Sequence, residues 1–297
     1  MSHTTITQVH DGLAADRRLL EPGRSLGVIG VGVMGKAILR GLLNSAALTP
    51  DQAWGTSRSA QTCATTSAEL GVTVERDIAH LLPDADIVVL CVKPAQAAGA
   101  LSTLTASARL LPDTLLISIV AGISLAQLRE TLATDNPWVR AMPNTPCVVG
   151  EGMTALAGGA GATPEHLAKA RQVFESVGQC VETEERHFDA ITALSGSGPA
   201  YQYLIMEAMA DAGVRVGLPR ELALTLVAQT ALGAARMVQT SGRHPAALRD
   251  DVTTPAGCTI GGLLMLEDGK IRSVLARAIE EATRIVATLA SPSPDRK

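Results

Sequence analysis

The clearest chemical signal in the chain is Gly30-Val31-Gly32-Val33-Met34-Gly35, a G-x-G-x-x-G spacing. It follows the apolar run Leu26–Ile29 and opens a segment with Ala37, Ile38, Gly41 and Leu42 on one helical face. A strand, a glycine turn and a helix in that order form the setting in which this spacing grips a pyrophosphate. Gly30 permits the tight turn, Gly32 lets the backbone approach the phosphates, and Gly35 lets helix and strand pack closely. The helix start adds free N–H groups and a partial positive charge. Ile29, Val33 and Met34 complete the candidate loop. The bland alternative is a glycine-rich turn with no ligand.

Further candidates stand at the ends of other apolar runs. About twenty residues past such a loop, a carboxylate normally holds the ribose 2′-hydroxyl of NAD. Here the segment reads Trp54-Gly55-Thr56-Ser57-Arg58-Ser59, without an acid. Hydroxyls and a guanidinium suit a 2′-phosphate, so Ser57 and Arg58 favour NADPH, with NADH as the second choice. Val92-Lys93-Pro94 and Ala121-Gly122 end two more apolar runs. Carboxyl ends of strands are where open α/β sheets bind ligands. Solvent-facing charge is the competing explanation for Arg58 and Lys93.

These residues require an alternating framework. Apolar runs at Leu26–Ile29, Ile87–Val92, Leu115–Val120 and Trp138–Met142 are separated by helical-length segments, with Asp51–Thr56 and Met153–Ala157 as weaker strands. Continuous apolar strands alternating with helices imply a parallel sheet covered on both faces, a Rossmann-type doubly wound α/β domain. Ser124 with Gln127 forms a capping box, and Thr163-Pro164 opens another helix. From Phe188 onward the chain reads as all-helical. Pro199 and Pro219 mark starts, Gly213, Gly217 and Gly242 mark ends, and a last helix covers Ile271–Leu289. The expected organisation is a flexible N-terminal extension (1–24), a nucleotide-binding domain (25–185), a helical domain (186–290) and a mobile tail (291–297). The helices around Tyr201–Met209 and Leu222–Leu232 are apolar on more than one stripe, which favours burial against a second subunit over a compact monomeric bundle.

Composition narrows the class. The 297 residues hold 25 Lys and Arg against 29 Asp and Glu, so no basic excess recommends nucleic acid. Aromatic residues are 2%, too few for base-stacking platforms. Mean hydropathy is high at +0.22. The best uncharged stretch, Leu222–Ala235, nevertheless falls short of the roughly 20 residues a membrane-spanning helix needs. Cys63, Cys91, Cys147, Cys180 and Cys258 are scattered with no C-x-x-C, which argues against a zinc site or a disulfide framework and favours a reducing cytoplasm.

Three further segments carry a resemblance. Arg140-Ala141-Met142-Pro143-Asn144-Thr145-Pro146, Ala193-Leu194-Ser195-Gly196-Ser197-Gly198-Pro199-Ala200-Tyr201 and Leu248-Arg249-Asp250-Asp251-Val252-Thr253-Thr254-Pro255-Ala256-Gly257-Cys258-Thr259-Ile260 follow the glycine loop and Val92-Lys93-Pro94 in order. Together they resemble the pyrroline-5-carboxylate reductases over about Leu26 to Leu289. The resemblance implies NADPH-dependent reduction of a cyclic imine to L-proline. It also implies a helical dimerisation domain, and dimers that assemble further into rings, commonly decamers. Thr259 is implied to hydrogen-bond the imine nitrogen. The backbone at Gly257, Cys258 and Thr259 is implied to hold the substrate carboxylate, which suits a loop opening a helix. Glu185 matches a position near the substrate, although Glu182, Glu184 and Glu185 also read as an ordinary acidic run. Asn144 and Asp251 match positions near the cofactor. No metal is implied.

The chain departs from the family's pattern in places. Ala256 replaces a common glycine, so a positive φ there would carry strain. Asp251 stands where an Asn often meets the cofactor, and a carboxylate beside phosphates repels them. The Asn often found near Asp77-Ile78 is missing. Two competing readings are a β-hydroxyacid dehydrogenase, with Lys169 as its helical acid/base, and a non-catalytic NADPH-sensing or scaffold protein that kept the fold.

Overall fold

A computed structural model describes residues 18–107 and 110–289. The described chain divides into two compact units, one running to Gly196 and rejoined from Ala282, the other Ser197–Glu281. Residues 1–17 and 290–297 lie outside the description, and with them most of the expected extension and the whole expected tail. Leu19 and Leu20 are buried, and the Leu19 N–H donates to Ala47 O at 3.0 Å. Packed chain therefore reaches back beyond Arg24.

The first unit is built on an eight-stranded sheet in the order β3-β2-β1-β4-β5-β6-β7-β8. Its strands are β1 (Ser25–Ile29), β2 (Ala53–Thr56), β3 (Thr73–Glu75), β4 (Ala85–Leu90), β5 (Leu115–Ser118), β6 (Trp138–Met142), β7 (Gly152–Gly158) and β8 (Gly178–Glu182). All neighbours are parallel except β6 and β7. The order reverses between β1 and β4, which makes their carboxyl ends the switch point where such sheets bind ligands.

Both sheet faces are apolar, as the continuous runs demanded. Ile87 and Val89 of β4 pack into one core with Ile38, Leu39 and Leu42 of helix α1 (Val33–Asn44). The alternate residues Val88 and Leu90 pack into the other. There they meet Leu101 and Leu104 of α3 (Ala97–Ser107) and Leu128 and Leu132 of α4 (Leu125–Leu132). Truncating such a leucine to alanine costs about 2–5 kcal/mol. Helix α2 (Ala60–Leu70) lies between β2 and β3, and α5 (Pro164–Glu175) between β7 and β8.

Caps follow the sequence. Ser124 and Gln127 form the capping box of α4, with Gln127 N donating to Ser124 Oγ at 3.3 Å. Thr163 caps α5 with Pro164 in the first turn. Two strands were not anticipated. β3 buries only Val74, and β8 is half-exposed, so neither produces an apolar run. The all-parallel expectation also fails at β7. The turn Thr145–Val149 sends the chain back antiparallel to β6.

After a short α6 (Phe188–Ile191) and a π-helical turn at Thr192–Gly196, the second unit consists of helices. These are α7 (Gly198–Arg215), α8 (Arg220–Ser241), α9 (Pro245–Asp251), α10 (Cys258–Asp268) and the start of α11 (Ile271–Leu289). Pro199 lies in the first turn of α7 and Pro219 caps α8. Gly217 and Gly242 take positive φ at helix ends. Gly213 does not end a helix. It lies inside α7, where an added side chain would crowd the Ala223 methyl of α8. Among the described residues of this unit only Ala210 and Ala223 are buried, while Leu204, Met209, Leu222, Leu226, Leu232 and Met265 are exposed. Among the described residues no helix is long and apolar enough to cross a membrane.

Candidate active site

The glycine loop behaves as its spacing predicts. Gly30 has φ +101°, a conformation closed to ordinary side chains. A Cβ at Gly35 would press on the Gly30 carbonyl and lie 3.0 Å from Val28 Cγ1, so α1 approaches β1 only because the side chain is absent. A Cβ at Gly32 would meet nothing within 4 Å. That face opens towards a cavity of about 690 Å³, within the range of small-molecule sites.

The cavity gathers Ile29, Gly30, Gly32, Ser57, Arg58, Val92 and Lys93, all chosen from sequence. Ser59, Thr62 and Arg76 line it too, and among the described residues no Asp or Glu does. Ser59 Oγ accepts from Thr62 N at 3.2 Å and so caps α2. Val33 is exposed and Met34 half-buried at the start of α1. Pro94 starts a single turn, Pro94–Gln96, that takes the chain off the sheet. Ala121 and Gly122, with φ +75° at the glycine, follow β5 but do not line this cavity. Cys91 lines the cavity, but burial pushes its thiol up to about 12, so it stays protonated at neutral pH and is no nucleophile.

Asn144, at the end of β6, serves as a brace. Its Oδ1 accepts the Met153 N–H at 2.8 Å, and its Nδ2 donates to Ser195 O at 3.2 Å. One amide thus ties β6, β7 and the π-helical turn. Glu185 is held in the same unit. Its Oε1 accepts from Arg140 Nη1 at 2.9 Å and from Leu125 N, the first N–H of α4, at 2.7 Å. The Arg140 guanidinium lies 4.8 Å from the centroid of the Phe188 ring.

In the second unit, Gly257 is the N-cap of α10, in extended conformation. Its N–H donates to Thr254 O at 3.1 Å. A Cβ at Gly257 would strike the Thr254 hydroxyl. The N–H groups of Cys258 and Thr259 take no partner among the described residues, and neither does the Thr259 hydroxyl. Thr259, in the first turn, does not cap the helix. Ala256 has φ +56°, the positive value that its replacement of glycine made costly. Asp251 accepts two bonds from Arg243, at 2.5 and 3.1 Å, and this arginine holds its carboxyl below the usual range. Its charge is therefore already countered. Lys169 pairs with Glu165 at 3.5 Å along α5, an ordinary surface pair rather than an acid/base. Among the described residues no cluster of His, Cys, Asp and Glu could hold a metal.

Sequence reasoning missed Arg76 and the role of Arg140. Arg76 follows a strand too short to show as an apolar run. Arg140 was visible only as a letter in a motif, because its partner lies 45 positions away.

A glycine-cradled cavity at the switch point of a doubly wound sheet, joined to a helical unit, defines an oxidoreductase of the dinucleotide-binding class. Residues 25–122 match the family model described as NADP oxidoreductase coenzyme F420-dependent, and residues 185–289 match that described as pyrroline-5-carboxylate reductase dimerisation. A pyrroline-5-carboxylate reductase of Arabidopsis thaliana is 41% identical over 87% of this chain and 93% of its own. A solved structure of such a reductase from Coxiella burnetii superposes with TM-score 0.84 at 32% identity, covering 91% of this chain and 100% of that one. The Plasmodium falciparum enzyme, solved with NADP bound, gives TM-score 0.80 at 33% identity over 90% and 98%. The chain belongs to the pyrroline-5-carboxylate reductase family.

Proposed function

We propose that this chain reduces the C=N bond of 1-pyrroline-5-carboxylate with NADPH to give L-proline. The observation that carries the reading is the start of α10, where the Thr259 hydroxyl and the N–H groups of Cys258 and Thr259 have no partners among the described residues. A bare helix N-terminus suits a carboxylate, and a free hydroxyl beside it suits the ring nitrogen of the same small molecule. Gly257 acts by letting the turn close on Thr254, leaving Cys258 and Thr259 as the carboxylate donors. Cys258 serves through its backbone.

The cavity fits a nicotinamide dinucleotide, because Gly32 offers an open backbone face to phosphates and no carboxylate among the described residues lines it to oppose the charge. Ile29, Gly30, Gly32, Val33, Met34 and Gly35 would hold the pyrophosphate, and Ser57 and Arg58 the 2′-phosphate. Val92, Lys93 and Pro94 would border the cofactor at the end of β4, Ala121 and Gly122 at the end of β5. When bound, NADPH would supply a hydride to the ring carbon of the C=N bond in its protonated, iminium form, so that the π electrons settle on a nitrogen that already carries the proton of the product amine. Thr259 orients that nitrogen, and within the first unit Asn144 keeps β6, β7 and the π-helical turn in register. Arg140 and Leu125 already occupy one oxygen of Glu185, which supports a positioning role for it within the first unit.

The exposed apolar faces of α7, α8 and α10 support a homodimer, since so little of this unit is buried within one chain. Assembly of dimers into a decamer and a cytoplasmic location belong to the same proposal. The test is an assay with 1-pyrroline-5-carboxylate and each reduced nicotinamide, following nucleotide absorbance and proline formation. Nucleotide binding without turnover of any cyclic imine would favour a non-catalytic role.

A further inference from the structure

We propose that Arg76 is a second reader of the cofactor's 2′-phosphate, acting with Arg58 as the two walls of one anion cradle. The inference rests on the proposed use of NADPH and names a residue that sets the preference for it.

The backbone register is the starting point. β2 and β3 run parallel, with Thr56 opposite Glu75. Beyond that pair the Ser57 N–H donates to Glu75 O at 3.4 Å, so the two chains leave the sheet edge side by side. Ser57-Arg58 emerges from one strand and Arg76 from the other, at the same end of the sheet. Both arginines line the same cavity and both are exposed. Neither makes an ion pair among the described residues, whereas many of the chain's other arginines do.

Nearby acids do not cancel this charge. Glu75 lies 3.8 Å from His80, and Asp77 accepts the Ala79 N–H at 3.1 Å. Neither lines the cavity. Ile78, buried behind the loop, closes the floor. The other polar residues at this end include Thr56, Ser57, Ser59 and Thr62, which bring hydroxyls. Two guanidiniums with hydroxyls and no acid match a phosphate dianion and mismatch a ribose diol, which an acid would hold. Two cations facing one cavity with no anion also repel each other, and a bound phosphate removes that repulsion.

The experiment titrates full-length wild-type, Arg76→Ala, Arg58→Ala and double-variant protein with NADPH and NADH, following nicotinamide fluorescence. Adenosine 2′,5′-bisphosphate and 5′-AMP serve as competitors, so the readout does not depend on turnover. Arg76→Ala should weaken NADPH and the 2′,5′-bisphosphate about tenfold, the scale of one charge-assisted contact, and leave NADH and 5′-AMP within about twofold. Arg76→Lys should recover part of the loss. In the double variant the preference for NADPH should fall close to unity. Equal losses for both nucleotides, or none, would overturn the assignment to Arg76 while leaving cofactor binding intact. A wild-type chain that binds neither nucleotide would instead overturn the underlying reading of the cavity, and this proposal with it.

Discussion

Arg140 and Glu185 are paired across 2.9 Å, and the same carboxylate oxygen accepts the first N–H of α4. The arginine side chain is only 5% exposed and the glutamate 31%. Three separate segments therefore meet at one oxygen: β6, the start of α4, and the approach to α6. The guanidinium is further held over the Phe188 ring, and its Nε has no partner among the described residues. Removing the carboxylate would leave a buried cation and an orphaned helix N–H.

Glu185→Ala is therefore expected to destabilise the first unit. Leaving buried donors unsatisfied costs about 1–3 kcal/mol, and the partial exposure of Glu185 places the loss towards the lower end. Glu185→Gln keeps an acceptor for Leu125 and should cost less. Urea unfolding checks both. If Glu185 chiefly contacted substrate, Glu185→Gln would instead raise KM at unchanged stability.

Thr259 gives the opposite signature. Its hydroxyl has no partner among the described residues, so Thr259→Ala should leave the melting temperature unchanged. If the hydroxyl meets the imine, kcat/KM should fall by the worth of one hydrogen bond, about 0.5–1.5 kcal/mol, or up to about 3 kcal/mol for a charged partner. Thr259→Ser should restore most of the rate. An unchanged kcat/KM in the alanine variant would remove Thr259 from the reaction.

The parts legible in the sequence share a cause. β1, β4, β5 and β6 are buried on both faces, so they appear as apolar runs, and the capping pairs at Ser124 and Thr163 are local. The glycine loop was readable because its spacing, between an apolar run and a helical face, is itself a local pattern, and Gly35 answers contacts with Gly30 and Val28 a few residues away. β3 and β8 escaped notice because edge strands bury little. Glu185 looked like part of an acidic run, since nothing local reveals that a buried arginine on another strand has claimed it. Arg76 escaped with β3. Arg58, which lines the same cavity, was found because it lies at the expected distance from the glycine loop. Gly213 was misread because a glycine that admits another helix looks the same in sequence as one that ends its own.

Ala256 tests the turn ahead of α10. An alanine at φ +56° is in the left-handed region, which costs a residue with a Cβ roughly 1–2 kcal/mol. Ala256→Gly removes that strain but adds freedom to the unfolded chain, for a net gain of about 1 kcal/mol. Ala256→Val, which is β-branched, should be worse than the present residue. Thermal unfolding of the variants gives the order Gly, Ala, Val if the turn is as described. A flat series would mean that residue 256 relaxes out of this conformation.

The two glycines at the head of α1 separate folding from cofactor binding. A methyl at Gly32 meets empty space, and the residue's φ of −76° suits any side chain. Gly32→Ala should therefore change stability by no more than about 1 kcal/mol, the scale of an N-cap exchange. It should still weaken NADPH and NADH alike, because the methyl would stand where the shared pyrophosphate approaches. A methyl at Gly35 collides with the Gly30 carbonyl and crowds Val28. Gly35→Ala should push α1 away from β1 and cost about 1–3 kcal/mol, as overpacking does. Nucleotide binding should weaken as a consequence. Urea unfolding with paired nucleotide titrations distinguishes the two. A Gly32→Ala protein that binds both nucleotides as tightly as the wild type would show that this loop does not carry the phosphates.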